Sequence, residues 1–356
     1  MENLENAIVE IKEKMPGLKL LENEPMSSHC SFRIGGPVRA LAAPKDVTGL
    51  SKLCHLLKTH HISPLLLGNG TNILFPDEGL KDLFIISTEN LTKMFLLPDG
   101  AIYAEAGVSL AKLASFAQQN GLAGLEFASG IPGTVGGGVR MNAGAYGGEL
   151  KDAVDVKADI GLTDADLAGQ YQYTKDIVTV DGSQRGTTWQ ATPGLFAYRR
   201  SIFQQMNAAI LSAVFRLQPG DKAEISAKMR ELNERRRDKQ PLDMPSAGSA
   251  FKRPEGHYAA ELIEEVGLKG YSVGGAQVSE KHSGFVVNTG GATSHDVYDL
   301  MMHVRNTVYK ERGVFLEPEI IILPPEYALV DEGPDLKLNS VQVNDISRPP
   351  EPPKEG

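Results

Sequence analysis

The sequence predicts an α+β fold in two units, and three observations carry that prediction. Apolar residues at helical spacing are interleaved with short apolar runs closed by turn residues, a mixture of the 3.6 and 2 periods. Two glycine-rich turns are present, yet neither fits the helix-opening turn of the common nucleotide folds. A helix–strand–helix–strand series follows Gly220, and 356 residues are long enough for a second unit.

Taken in order, Leu4, Ile8, Ile11 and Met15 predict a helix over residues 2–15. Residues 23–44 read as irregular, with a turn at Gly35-Gly36-Pro37. Asp46 caps a helix running to about His61, with Leu50, Leu53 and Leu57 on one face. Leu65–Leu67 and Ile73–Phe75 flank the turn Gly68-Asn69-Gly70-Thr71-Asn72, giving strand–turn–strand. Leu83–Ser87, Met94–Leu97 and Ala101–Ala106 are strands, the last two joined at Pro98-Asp99-Gly100. Ser109 starts a helix that Gly121 ends. Ile177–Val180 and Thr187–Trp189 form a hairpin around Asp181-Gly182, after a small, polar segment at 160–176 that reads as an insertion or long loop. Ala208–Leu217 is a strand, and Asp221 to about Lys239 a charged helix. The second unit has helices at Tyr258–Val266 and Ser294–Arg312 and strands at Gly284–Asn288 and Glu319–Leu323. Few large apolar residues follow Ala328, so residues 328–356 are expected to be a disordered tail. The division is therefore 1–220, with a core over about 30–217, then 221–327.

Hydrophobic content of 41% and charged content of 23% are ordinary for a globular protein. A net charge of -9 speaks against bulk attraction to nucleic acid, so an anionic ligand must be held by local groups. The two cysteines, Cys30 and Cys54, lie in no metal or redox motif and fit a reducing cytoplasm. The N-terminus carries no signal-peptide pattern, and no apolar run approaches the about 18 residues of a membrane span. No metal site is expected.

The organising stretch is 129–148, SGIPGTVGGGVRMNAGAYGG, in which eight of twenty residues are glycine. It reads either as a long surface loop or as a backbone cradle for a phosphate-bearing ligand. Gly133 and Gly138 have P-loop spacing, but Val139 and Arg140 stand where lysine and a hydroxyl are required. At Gly68-Asn69-Gly70, Ile73 stands where a dinucleotide fingerprint needs its third glycine.

Three further segments hold polar residues with no simple structural task. Tyr198-Arg199-Arg200-Ser201 is a candidate ligand contact or a solvated charge cluster. Ser249, among small residues and near Pro241 and Pro245, could approach a ligand or serve as a turn serine. Glu319 opens an apolar strand, where it is either solvated or turned into a cleft that would shift its pKa. His29 has no nucleophile or metal cluster near it in sequence and reads as structural. The residues alone thus reach an enzyme binding an anionic nucleotide cofactor, without naming a reaction.

The motifs LGNGTN (67–72), SGIPGTVGG…MNAGAYG (129–147), YRRS (198–201), PSAGSAFKRP (245–254), GLKGYSVGGAQVSEKHSGFVVN (267–288) and LEPEI (316–320) together resemble the UDP-N-acetylenolpyruvoylglucosamine reductase family. Six motifs in the family's order, from about Asn23 to Leu323, make the resemblance specific. It implies an FAD-binding unit of the vanillyl-alcohol-oxidase type followed by a smaller α+β substrate-binding domain. It implies non-covalent FAD held at Gly68, Asn69, Gly70, Thr71 and Asn72 and at Ser129, Gly130, Ile131, Gly133, Thr134 and Gly137. Arg199, Ser249 and Glu319 fall on the family's catalytic positions, with Ser249 as proton donor. Tyr198, Lys239, Lys252 and His282 are further candidate substrate contacts, each equally readable as a surface residue.

The implied reaction is NADPH-dependent reduction of UDP-N-acetylglucosamine enolpyruvate to UDP-N-acetylmuramate, for bacterial peptidoglycan, by a cytoplasmic monomer. No insertion stands between Gly275 and Asn288, which resembles the shorter, second type of the family. Arg253 departs from the family's usual asparagine. The alternatives are another FAD-linked oxidoreductase of the same fold, or a catalytically silent nucleotide-binding protein.

Overall fold

The computed structural model describes residues 2–154, 177–180, 186–189, 195–204 and 209–323. The segment 160–176, the turn at Asp181-Gly182 and the tail from 328 lie outside the described residues.

The first unit opens with α1 (Glu2–Lys14), β1 (Lys19–Pro25), β2 (Pro37–Ala43), α2 (Val47–Thr59), β3 (Leu65–Leu67), β4 (Ile73–Leu74) and β5 (Leu80–Ser87). Four of these strands form one sheet in the order β1-β2-β5-β3; β1 and β2 are antiparallel, and the pairs β2/β5 and β5/β3 are parallel. The region 23–44, expected to be irregular, thus supplies the end of an edge strand and all of a central one. Glu22 and Glu24 broke the apolar pattern of β1, whose residues stay exposed or half-buried.

Phe84 and Ile86 point to α1 and α2, among Leu4, Ile8, Ile11, Leu50 and Leu57. Leu83 and Ile85 point the other way, into a core shared with the second unit. A strand covered on both faces reads as an unbroken apolar run, which LFII does. The Asp46 side chain accepts from Gly49 N–H at 2.7 Å and caps α2 as expected.

A second layer follows: β6 (Met94–Leu96), β7 (Ile102–Glu105), α3 (Leu110–Gln119), β8 (Leu122–Ala123), α4 (Val135–Met141), and the short hairpin strands β9 (Gly144–Ala145) and β10 (Gly148–Glu149). Next are β11 (Ile177–Val180), β12 (Gly186–Trp189), β13 (Phe196–Ala197), β14 (Arg200–Ser201), β15 (Ala209–Phe215) and β16 (Gln218–Pro219). An antiparallel sheet in the order β12-β11-β15-β7-β6 forms here, with Ile102, Ala104, Ala213 and Phe215 packed among Leu110, Leu113 and Ala117 of α3. The glycine stretch, read as loop or cradle, contains a helix. Thr134 caps α4, and a Cβ on Gly138 would stand 2.7 Å from Leu150 Cδ1, so the helix sits closer to its neighbours than alanine would allow.

The last elements are α5 (Lys222–Lys239), β17 (Ser246–Ser249), α6 (Ala259–Glu265), β18 (Ser272–Val273), β19 (Ala276–Val278), β20 (Phe285–Asn288), α7 (Ser294–Arg312) and β21 (Ile321–Ile322). The strands order as β17-β20-β19-β18, with α7 packing Val297, Leu300, Met301 and Val304 into the shared core. A capping box of Thr293 and Asp296 starts α7, and Gly313 at φ 68° ends it. Although α5 follows Gly220, its Leu232 and Met229 pack with Leu125 and Phe127 of the second layer. The chain then returns to its beginning, because β21 pairs in parallel with β4.

Candidate active site

The site forms where distant turns cross. Arg199 lies in the two-residue turn between β13 and β14, whose register pairs Ala197 with Arg200. Its φ of 54° is left-handed, a conformation L-residues adopt at a cost of about 1–3 kcal/mol and which surrounding contacts must hold. Those contacts are present. Buried Asn142 donates to Ala197 O at 2.9 Å, and Ser201 Oγ donates to Arg140 O at 2.6 Å. The guanidinium donates from Nη2 to Gly144 O at 2.9 Å and from Nε to Glu319 Oε1 at 2.6 Å.

Glu319 is fixed from both sides. Its N–H donates to Ala250 O at 2.9 Å, beside Ser249. Its carbonyl accepts from Asn72 Nδ2 at 3.1 Å, and Asn72 O in turn accepts from Ile321 N–H at 3.0 Å. Burial pushes the Glu319 carboxyl above the ordinary carboxylate value, outweighing the opposing pull of Arg199 and Lys252. A carboxylate held against an arginine yet raised in pKa can act as a hydrogen-bond partner in either protonation state.

Ser249 ends β17, past an irregularity in its pairing with β20 and after Gly248 at φ 79°. Its Oγ donates to Phe251 O at 2.9 Å. Glu319, expected to open a strand, lies two residues before β21 (Ile321–Ile322), and its N–H bond to Ala250 O brings Ser249 next to that segment, while among the described residues no bond joins the Ser249 hydroxyl to Arg199 or Glu319. This hydroxyl has the local bond of a turn serine, one residue before the carbonyl of Ala250 that holds the Glu319 N–H.

The two glycine turns meet. Asn69 Nδ2 donates to Pro132 O at 2.8 Å. A Cβ on Gly68 would stand 2.5 Å from Thr134 Oγ1, so here glycine permits contact between the two turns. Gly137 N–H reaches Thr134 Oγ1 at 3.4 Å.

The four further candidates are spread. Tyr198 is exposed, with the Arg199 guanidinium carbon 5.1 Å from its ring centroid. Lys252 pairs with Glu317. His282 Nδ1 accepts from Gly284 N–H at 3.1 Å, and its ring meets Phe285 edge-on at 5.0 Å. Burial pushes its imidazole below the usual value, and the charge of Lys239 adds to the shift. Lys239 itself is exposed at the end of α5. Arg253 lies over Tyr258, 4.0 Å from the ring centroid. His29, read as structural, pairs its Nε2 with Glu24 Oε1 at 2.8 Å.

Sequence reasoning missed Arg236. It is 8% exposed, its Nη1 donates to Gly130 O, and its Nε is buried with no acceptor among the described residues. The signal was available: Ile225, Met229, Leu232 and Arg236 fall on one helical stripe, so an arginine occupies an apolar place. A buried cation beside the 129–137 turn suits an anionic dinucleotide, and this is what makes the residues present a fit for a flavin.

Comparison with known proteins places this arrangement among flavin-binding oxidoreductases. Residues 38–166 match the FAD binding domain, and residues 240–323 match the C-terminal domain of UDP-N-acetylenolpyruvoylglucosamine reductase. The reductase of Caldanaerobacter subterraneus subsp. tengcongensis is 44% identical over 313 residues, 88% of this chain and 96% of that protein. The reductase of Agathobacter rectalis is 46% identical over 321 residues, 87% of this chain and 96% of that one. The crystal structure of the Thermus caldophilus reductase superposes with a TM-score of 0.68 at 30% identity, covering 86% of this chain and 99% of its own. The chain belongs to the UDP-N-acetylenolpyruvoylglucosamine reductase family.

Proposed function

We propose that this chain reduces the enolpyruvyl group of UDP-N-acetylglucosamine enolpyruvate to the lactyl ether of UDP-N-acetylmuramate, with FAD as carrier and NADPH as electron source. The observation that carries the reading is the Arg199–Glu319 pair, assembled from segments 120 residues apart and fixed to a glycine turn through Asn72.

When bound, the flavin supplies the hydride that adds to the alkene carbon β to the carboxylate. Arg199 binds the carboxylate end of the substrate and stabilises the enolate-like charge that develops there. Glu319 orients the guanidinium and, when protonated, donates a hydrogen bond to the same charge. Ser249 delivers a proton to the adjacent carbon, a contribution worth about 10²–10⁴-fold for a general acid. Hydride and proton together complete the two-electron reduction. Gly68–Asn72 and Ser129–Gly137 hold the cofactor's diphosphate through backbone groups. Tyr198, Lys239, Lys252 and His282 contact the sugar nucleotide. A division into a flavin unit (1–220) and a substrate unit (221–327), and a cytoplasmic monomer, belong to the same proposal.

The visible spectrum tests it. The purified protein should show flavin absorbance that NADPH bleaches and the enolpyruvyl substrate restores. A colourless protein, or one whose colour the substrate fails to restore, would refute the reading.

A further inference from the structure

Arg236 is a buried cation beside the 129–137 turn. Its partners among the described residues are Gly130 O and Tyr146, whose ring centroid lies 5.8 Å from the guanidinium carbon. Among the described residues no carboxylate acts on it: burial lowers its pKa, and Tyr146 is the one described group that opposes that. Its Nε–H is sealed from water and has no acceptor among the described residues. Removing a cation from water without a counter-ion is strongly unfavourable, and an orphaned buried donor adds to the cost. A tether to one carbonyl needs neither the charge nor the five-donor fork, whereas paired anionic oxygens use both. Gly130 belongs to the turn assigned to the cofactor.

We propose that Arg236 is the counter-ion for negative charge on the bound flavin, with its orphaned Nε–H as a donor to that charge. The inference rests on the flavin assignment above. Two parts of the cofactor offer the chemistry. The diphosphate is anionic in every state. The ring becomes anionic only when a hydride, two electrons and one proton, adds to the neutral oxidised form and no second proton follows.

The test uses the full chain, stripped of flavin and titrated with FAD. Wild type is compared with Arg236→Gln, which keeps an amide donor and loses the charge, and with Arg236→Lys, which keeps the charge. The Kd for oxidised FAD, the midpoint potential of bound flavin, and Tm with and without FAD are measured. Arg236→Gln should lose tenfold or more in one of the first two quantities, and Arg236→Lys should recover most of it.

A tenfold weaker hold on oxidised FAD with unchanged potential assigns the charge to the diphosphate. Unchanged affinity for oxidised FAD with a tenfold smaller preference for the reduced form, a fall of about 30 mV for a two-electron couple, assigns it to the ring. If affinity and potential both stay at wild-type values, the proposal is overturned. It is overturned equally if the apo-protein alone is destabilised while the FAD-induced rise in Tm is undiminished, since that marks a structural tether. Wild type that takes up no FAD removes the flavin assignment itself, and this inference with it.

Discussion

Arg199 and Glu319 meet through an Nε–Oε1 bond of 2.6 Å, and the backbone that presents the arginine is left-handed at φ 54°. The contact joins the turn between β13 and β14 to the segment just before β21. A substrate carboxylate bound here would meet a planar fork already oriented by a neighbouring acid.

Arg199→Lys should therefore behave worse than conservation of charge suggests. Lysine is a point charge and cannot bond Glu319, Gly144 O and a carboxylate from one plane. Loss of one oriented donor costs about 10²–10³ in turnover. Steady-state kinetics should show kcat falling by that order while flavin content holds. Wild-type turnover in the lysine variant would remove the fork argument.

Glu319 predicts a pH signature in stability. Its native pKa is raised above the ordinary 4.5, so between the two values the native state holds more protons than the unfolded chain. The stabilisation is fully present below about 4.5 and is lost as pH rises through the raised native value. The Tm difference between wild type and Glu319→Gln should shift against wild type as pH rises through that window, then level off. A difference that is flat with pH would show that the raised carboxyl is not coupled to folding.

Gly68→Ala places a methyl 2.5 Å from Thr134 Oγ1. Separating the two turns should destabilise by about 1–3 kcal/mol, as overpacking does, and reduce FAD uptake. Thr134→Ala removes the obstructing hydroxyl at the cost of a helix cap. The double variant should bind FAD better than Gly68→Ala alone in a fluorescence titration; additive losses would show that the contact is not the cause.

Asp77 joins the two units. Its Oδ2 accepts from Ser294 Oγ at 2.7 Å and from Ser294 N–H, at the start of α7. Asp77→Ala should cost about 1–2 kcal/mol, the scale of a lost cap, read as a lower urea midpoint. An unchanged midpoint would show that the clasp contributes nothing in solution.

Much of this architecture was legible because its signals are local. Asp46, Ser109, Asp221 and Thr293 cap the helices that follow them, and apolar spacing placed α1, α3 and α7 within two residues of their ends. What escaped depends on tertiary contact. Helix α4 contains Gly136, Gly137 and Gly138, which propensity places outside helices; its close packing against Leu110 and Leu150 decides otherwise. Strand β1 is an edge strand with no apolar alternation. Arg199 and Glu319 were identified from motifs, but their direct bond is a product of the fold. Arg236 escaped because the helix from Asp221 to about Lys239 reads as charged throughout, although its place on the buried stripe with Ile225, Met229 and Leu232 set it apart.

The central claim is that Ser249 supplies the proton in the second half of a flavin-mediated reduction, and stopped-flow measurement of Ser249→Ala isolates it. The account predicts flavin reduction by NADPH at nearly the wild-type rate. Reoxidation by the enolpyruvyl substrate should be slowed by at least about 10²-fold, the loss expected from removing a general acid. Reoxidation at the wild-type rate would contradict the assignment, and equal slowing of both halves would mean that Ser249 shapes the flavin site without donating a proton.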